Sequence, residues 1–278
     1  MMTMRKDISI LALITLLVFS LSCDRDANLW DGELITSVDQ SFADGEFAAI
    51  SHLFDLYGRS DSLVYGETPI TGGFYCPGAS TTIPSSSSSF VRVEFDFGNG
   101  TNCLDGRNRA GKLVGEYSGK WTDPGSSISI SPDGYSVAGY AFFFNLTTTL
   151  NQPDANGNPN WTTVITNAEL INPSDGGRIN WESTRTTTWI EGEDTFTYDD
   201  NAYEVTGTAT GIARSLRFFT AETTTPLRYN VTCPQAVSGA VSISPDSLQT
   251  RTINYGTGTC DNFGVIQVNG FEQQFNLR

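Results

Sequence analysis

The stretch Val91-Arg-Val-Glu-Phe-Asp-Phe97 decides the reading of the chain, because apolar and polar residues alternate through it without a break. A period of two places Val91, Val93, Phe95 and Phe97 on one face of a strand and Arg92, Glu94 and Asp96 on the other. Ser127-Ile-Ser-Ile-Ser131 alternates in the same way. The pattern predicts further strands over 112–121, 135–149, 161–171, 178–190, 202–212, 214–221, 236–243, 249–255 and 263–276. Asp123-Pro-Gly125, Pro132-Asp-Gly134 and Asp175-Gly-Gly177 punctuate them with the residues that tight turns need. Short connections between such strands predict a mainly β chain, an antiparallel meander forming a curled sheet, a sandwich or an open barrel.

Toward the N-terminus the period changes. Phe42, Phe47, Ile50, Leu53, Phe54 and Tyr57 recur at spacings of three, four and five, which predicts one helix over 36–58 covering part of the sheet. Ser37 or Asp39 would cap its start, and Gly58 would end it. His52, the single histidine, lies beside the apolar stripe and reads as a surface or capping residue. One histidine excludes zinc sites with two His ligands and argues against a Ser–His–Asp triad. Residues 36–278 read as one β-rich domain, with Ser85–Ser89 as a flexible loop.

Before the helix, residues 1–22 join a charged start to the apolar run Ile8–Phe19 and then to Ser20-Leu21-Ser22. This is the order of an export signal, and the run is short for a membrane span. Ser-Leu-Ser-Cys resembles a bacterial lipobox, with Cys23 as the acylated residue and 23–35 as a tether, although Ser20 stands where such a motif usually has Leu. Acyl chains on Cys23 would anchor the chain to a membrane without a spanning helix. The formal charge is −15, and losing Arg5, Lys6 and Asp7 with the leader takes it to −16. So acidic a chain should stand off anionic headgroups, and it lacks the Lys and Arg excess that nucleic-acid binding requires.

The other four cysteines form a repeat. Cys76 to Cys103 and Cys233 to Cys260 are both intervals of 27 residues. Cys76-Pro-Gly-Ala79 answers Cys233-Pro-Gln-Ala236, and Phe97-Gly-Asn-Gly-Thr-Asn-Cys103 answers Tyr255-Gly-Thr-Gly-Thr-Cys260. The motifs 76–121 and 233–278 therefore read as a duplication. In an exported chain an even cysteine set implies disulfides. Pairing within each repeat is the first expectation, and Cys76–Cys233 with Cys103–Cys260 the second. A zinc site of four thiolates is the competing reading, set back by the long spacing.

The lipobox, the Asp-rich helix entry, the run Phe95–Lys112 and the block Ile253–Asn262 resemble uncharacterised outer-membrane and surface lipoproteins of Bacteroidota. The resemblance implies an envelope location and an all-β body, and no activity. Asp24, Asp26, Asp31 and Glu33 resemble the surface-export tags of that group, and Asp61-Ser-Leu63 and Asp246-Ser-Leu248 resemble its O-glycosylation acceptors, at Ser62 and Ser247.

The remaining candidates are polar and aromatic. Asp154, Asn156 and Asn158 place oxygens at alternate positions as calcium loops do, but Pro159 and Ile165 stand where such a loop needs Gly and Glu, so no cofactor is expected. Glu191, Glu193, Asp194, Asp199 and Asp200 flank one turn, and Arg107 and Arg109 could clamp an anion or pair internally. Thr184, Thr186 and Thr188 share a strand face, as do Thr206, Thr208 and Thr210. Trp161, Trp181 and Trp189 could stack on sugars or fill the core. These features favour an envelope-anchored protein with a non-enzymatic binding or structural role, whose partners would be the membrane and a glycan or envelope protein. The alternatives are a glycan hydrolase working with two carboxylates beside Trp181 or Trp189, and an ice- or surface-binding protein using the threonine faces.

Overall fold

The computed structural model describes residues 31–59, 76–86, 90–193 and 200–277. The chain divides into two units, Met1–Asp31 and Gly32–Arg278, and the elements described below belong to the second. Helix α1 (Ile35–Arg59) is followed by strands β1 (Ser80–Ser86), β2 (Phe90–Asp96), β3 (Thr101–Asn102), β4 (Asn108–Ser118), β5 (Ser127–Val137), β6 (Tyr140–Leu150) and β7 (Asn160–Ile171). The sheet continues through β8 (Arg178–Glu191), β9 (Ala202–Ile212), β10 (Phe218–Asn230), β11 (Ser238–Pro245), β12 (Arg251–Thr257), β13 (Phe263–Val268) and β14 (Phe271–Asn276). Each strand pairs with its sequence neighbour, antiparallel, except that β2 passes over the short β3 to pair with β4. The result is the expected meander as one curled, unclosed sheet.

The sheet does more than lie against the helix. Phe54 packs on Phe95 of β2 at 4.9 Å, Glu46 reaches Arg109 of β4 and Tyr135 of β5, Phe42 packs on Tyr140 of β6 at 5.1 Å, and Trp181 of β8 donates to Gln40 at 2.8 Å. Strands this far apart in the sheet meet one helix only if the sheet curls around it. Right-handed strand twist, accumulated over many strands, supplies the curl. Buried positions therefore occur on every side of α1, among them Asp39, Asp44, Glu46 and Asp55. A helix buried all round is normally apolar all round. Here each buried acid is matched by a partner on a strand or turn: Asp39 by Arg214, Asp44 by Arg185, Glu46 by Arg107 and Arg109, and Asp55 by the Trp121 indole.

The helix ends differ from the expected caps. Glu33 accepts from the Thr36 amide at 2.9 Å and from its hydroxyl at 2.6 Å, so Glu33 caps the start, while Ser37 and Asp39 lie inside the helix. Gly58 belongs to the last turn and does not stop it. It is there for space, since a Cβ would lie 2.6 Å from the Trp121 ring and 2.7 Å from Tyr117. Gly115 on β4 serves Phe54 in the same way, with a Cβ position 2.1 Å from that ring.

Pro132-Asp133-Gly134, expected as a turn, sits within β5. The β4–β5 register slips between Ala110 and Lys112, and Gly111 (φ 75°) lies against the carbonyl of Gly134 (φ 64°), so the same residues build a bulge. Two-residue turns with both residues at positive φ close β5–β6 (Ala138-Gly139) and β13–β14 (Asn269-Gly270), as hairpin twist demands. The two disulfides join Cys76 to Cys103 and Cys233 to Cys260, the within-repeat pairing. Each ties the segment before a two-stranded hairpin, β1–β2 or β11–β12, to the segment after it.

Candidate functional site

Along one side of α1 the residues are small. Gly45, Ala48, Ala49 and His52 follow one another at the spacing that keeps them on a single helical face. Opposite them stand the inward side chains of β7 to β10: Trp161, Thr163 and Ile165, then Trp181, Arg185 and Thr187, then Tyr203 and Val205, then Tyr229. Small residues facing a wall of large ones leave a cavity of about 70 Å³, with room for several waters or a compact apolar group. Asn230, Val231, Cys233 and Pro234 complete its rim. Ala48 and Ala49 are only half-buried, so the cavity communicates with solvent on that side.

The walls are fixed by aromatic packing and ion pairs. Trp181 stacks flat on Phe47, with centroids 5.2 Å apart and planes 4° from parallel. Arg185 grips both oxygens of Asp44 at 3.0 Å, and its guanidinium lies 5.9 Å from the Trp181 ring. Asp44 and Arg185 are both lining residues, and Asp44 is the one carboxylate among those described. Burial pushes the Asp44 carboxyl above its ordinary range, against the opposing pull of Arg185. His52 presents its ring edge to Tyr203 at 4.5 Å, and burial drops its pKa to about 4, so the imidazole is neutral at pH 7. It lines the cavity and stays partly exposed, so of its reading as a surface or capping residue the capping half is corrected.

At the end of the helix, Arg59 lies 5.2 Å from the Trp161 ring and 5.0 Å from the Trp189 ring, and pairs with Asp55 at 2.7 Å. Trp161 and Trp181 are each 1% exposed and belong to the core as well as to the cavity wall, whereas Trp189 is half-buried and stacks on Tyr203. The Trp161 indole N–H is buried with no acceptor among the described residues.

Among the described residues the other side of α1 has a smaller space of about 20 Å³, beside Glu46, Ile50 and Leu53. Arg107 donates to Glu46 at 2.6 Å and Arg109 donates to it at 3.1 and 2.9 Å, while the Tyr135 hydroxyl also donates to it. Burial would raise the Glu46 carboxyl, but Arg109 and Arg107 outweigh it and bring the pKa down to about 2. The two arginines after Cys103 therefore pair internally.

The remaining sequence candidates fall elsewhere. Asp154 accepts the amides of Asn156 and Asn158 at 2.8 and 2.9 Å, so its carboxylate organises its own loop, and no group of metal-ligating side chains forms among the described residues. Glu191 pairs with Arg228 at 2.6 Å. Ser247 is exposed in the β11–β12 turn at φ 60°. Cys23, Ser62, Asp194 and Asp199 lie outside the described residues.

The threonine faces are real and longer than the sequence indicated. Register aligns Ser129, Thr147, Val164, Thr184 and Thr208 in one row across β5 to β9, and Ser127, Thr149, Thr162, Thr186 and Thr206 in the next. These rows occupy the outer face of a sheet wound around a helix, so the array is regular but convex. No protein-family model, curated protein or solved structure matches the chain.

Proposed function

We propose that this chain is an exported envelope protein, anchored through acylated Cys23, with a non-enzymatic binding role: it receives a small apolar or amphipathic ligand in the cavity between α1 and strands β7 to β10. The cavity carries this reading. Its walls are aromatic and aliphatic, with a few polar groups (Ser51, His52, Thr163, Thr187, Asn230) at fixed places, which is the usual make-up of a small-molecule site. The acid and base along it are spent on each other, since Asp44 and Arg185 form a closed pair, so its chemistry suits holding a ligand better than transforming one. The carboxylate-pair hydrolase reading has no second carboxylate in this cavity among the described residues. The two disulfides accord with an oxidising, extracytoplasmic compartment.

The test is binding of xenon, a compact apolar probe that the cavity can admit, followed on the folded protein by ¹²⁹Xe NMR. Saturable binding is expected, weakened at least tenfold by Ala48→Phe, which fills the cavity, with Tm unchanged or raised. Absence of binding, or binding indifferent to Ala48→Phe, overturns the cavity reading. Radiolabelled palmitate that enters the wild type and not Cys23→Ala supports the anchor, and failure to enter the wild type removes it.

A further inference from the structure

The β9–β10 hairpin ends in a turn, Ala213-Arg214-Ser215-Leu216-Arg217, that folding alone does not explain. Leu216 is 86% exposed and holds φ 61°, the left-handed region that suits Gly or Asn and penalises a branched apolar side chain. Behind it Ile212 and Phe218 face each other across the hairpin register, at 40% and 49% exposure. A strained, water-exposed leucine leading an exposed Ile–Phe pair is an apolar tip with no partner among the described residues.

Its place in the molecule says what it meets. Arg214, in the same turn, donates its backbone amide and its guanidinium to Asp39 at 2.8 Å, in the second turn of α1. The tip therefore stands at the end of the molecule where the helix begins, and Ile35, the first helical residue, is itself 42% exposed there. From Ile35 the chain runs back to Cys23, and twelve residues reach no further than ~40 Å even when fully extended. Arg214 and Arg217 flank Leu216; Arg214 is paired with Asp39, and Arg178 at the start of β8 with Glu169, so these charges are balanced locally. The cavity lies further along α1, at residues 44 to 52.

We propose that the β9–β10 tip is a membrane-contact site, in which Leu216, with Phe218 and Ile212 behind it, inserts into the headgroup–acyl boundary of the bilayer that holds Cys23. This rests on the anchored reading above and adds an orientation to it. The helix start faces the lipid, and the cavity opens toward the aqueous side. The acidic body stands off the surface, as its charge dictates, everywhere but at this tip.

The experiment labels membranes containing the full-length protein with a bilayer-partitioned diazirine and maps the adducts by peptide mass spectrometry. Adducts at 212–218 should exceed those at the exposed Thr224–Pro226, further along β10, by at least tenfold. Leu216→Asp should remove most of them without changing palmitate on Cys23. Leu216→Gly separates strain from contact: a turn residue of merely structural importance would keep the labelling, whereas membrane insertion loses it. Palmitate on Cys23 without adducts at 212–218 overturns the contact site and leaves the anchor standing. Absence of palmitate overturns the anchor, and the contact site with it.

Discussion

The two sides of α1 are built by opposite rules. Toward β2–β6 the helix presents Phe42, Phe54 and Tyr57, which interlock with Phe95, Tyr117, Tyr140 and Phe142, and its buried acid Glu46 is held by two arginines and a tyrosine. Toward β7–β10 it presents Gly45, Ala48, Ala49 and His52, and its acid Asp44 has one arginine and borders a cavity. One carboxyl is driven down by its partners and the other is driven up by burial. The difference teaches that one helix can act both as the fold's core and as the floor of a site. Close packing and a network of two arginines with Glu46 and Asp105 serve the first role, and small side chains with one arginine on Asp44 serve the second.

Breaking the stronger side should cost most. Glu46→Gln keeps the shape but leaves the buried Arg107 without a carboxylate partner and Arg109 with Asp105 alone, a loss of about 3–5 kcal/mol. In a domain of this size that lowers Tm by about 10 °C, measurable by calorimetry. Asp44→Asn should cost about 1–3 kcal/mol, because its one charged partner borders a cavity that water can enter, and Gln40 still reaches the side chain. Equal losses for the two variants would erase the distinction between the sides.

Acid should separate them next. The Glu46 pKa is about 2 when folded and near 4.5 when unfolded, so its contribution is complete above pH 4.5 and is lost as pH falls toward 2. Asp44 and Asp39 run the other way, since a pKa raised in the folded state favours folding as these groups take up protons. His52, at about 4 when folded and 6.5 when unfolded, subtracts stability as pH falls through that interval, because only the unfolded chain then binds its proton. Urea unfolding at stepped pH should show a loss below pH 4.5 that Glu46→Gln flattens and Asp44→Asn does not.

Much of this architecture is legible in the sequence, and the reasons for the rest are physical. Alternation announced the strands, and the cysteine repeat put the observed pairing first of two, because both signals are local. The wrapping of the helix was not legible. Asp39, Asp44 and Glu46 look like a solvated face until Arg214, Arg185 and Arg107 arrive from 175, 141 and 61 residues away. Pro132-Asp133-Gly134 misled because a bulge and a turn ask for the same residues. The run Gly45, Ala48, Ala49 and His52 was the one visible trace of the cavity, and small side chains mark a space only once the opposite wall is known.

The smallest expected effect is the sharpest comparison, because its sign changes between the sides. Ala43 is fully buried within the core cluster, and Ala48 borders the cavity. The same substitution, Ala to Leu, adds the same atoms at both places and keeps helix propensity nearly constant. At 43 there is no room, and overpacking should cost about 1–3 kcal/mol. At 48 the new methyl groups enter a space of about 70 Å³ and exchange water for aromatic surface, worth up to ~1 kcal/mol after the entropy of fixing the side chain. Thermal unfolding of Ala43→Leu and Ala48→Leu should therefore move Tm in opposite directions. A fall in both would mean that the cavity wall is as tightly determined as the packed side, and that the space beside Ala48 does not admit a ligand's apolar group.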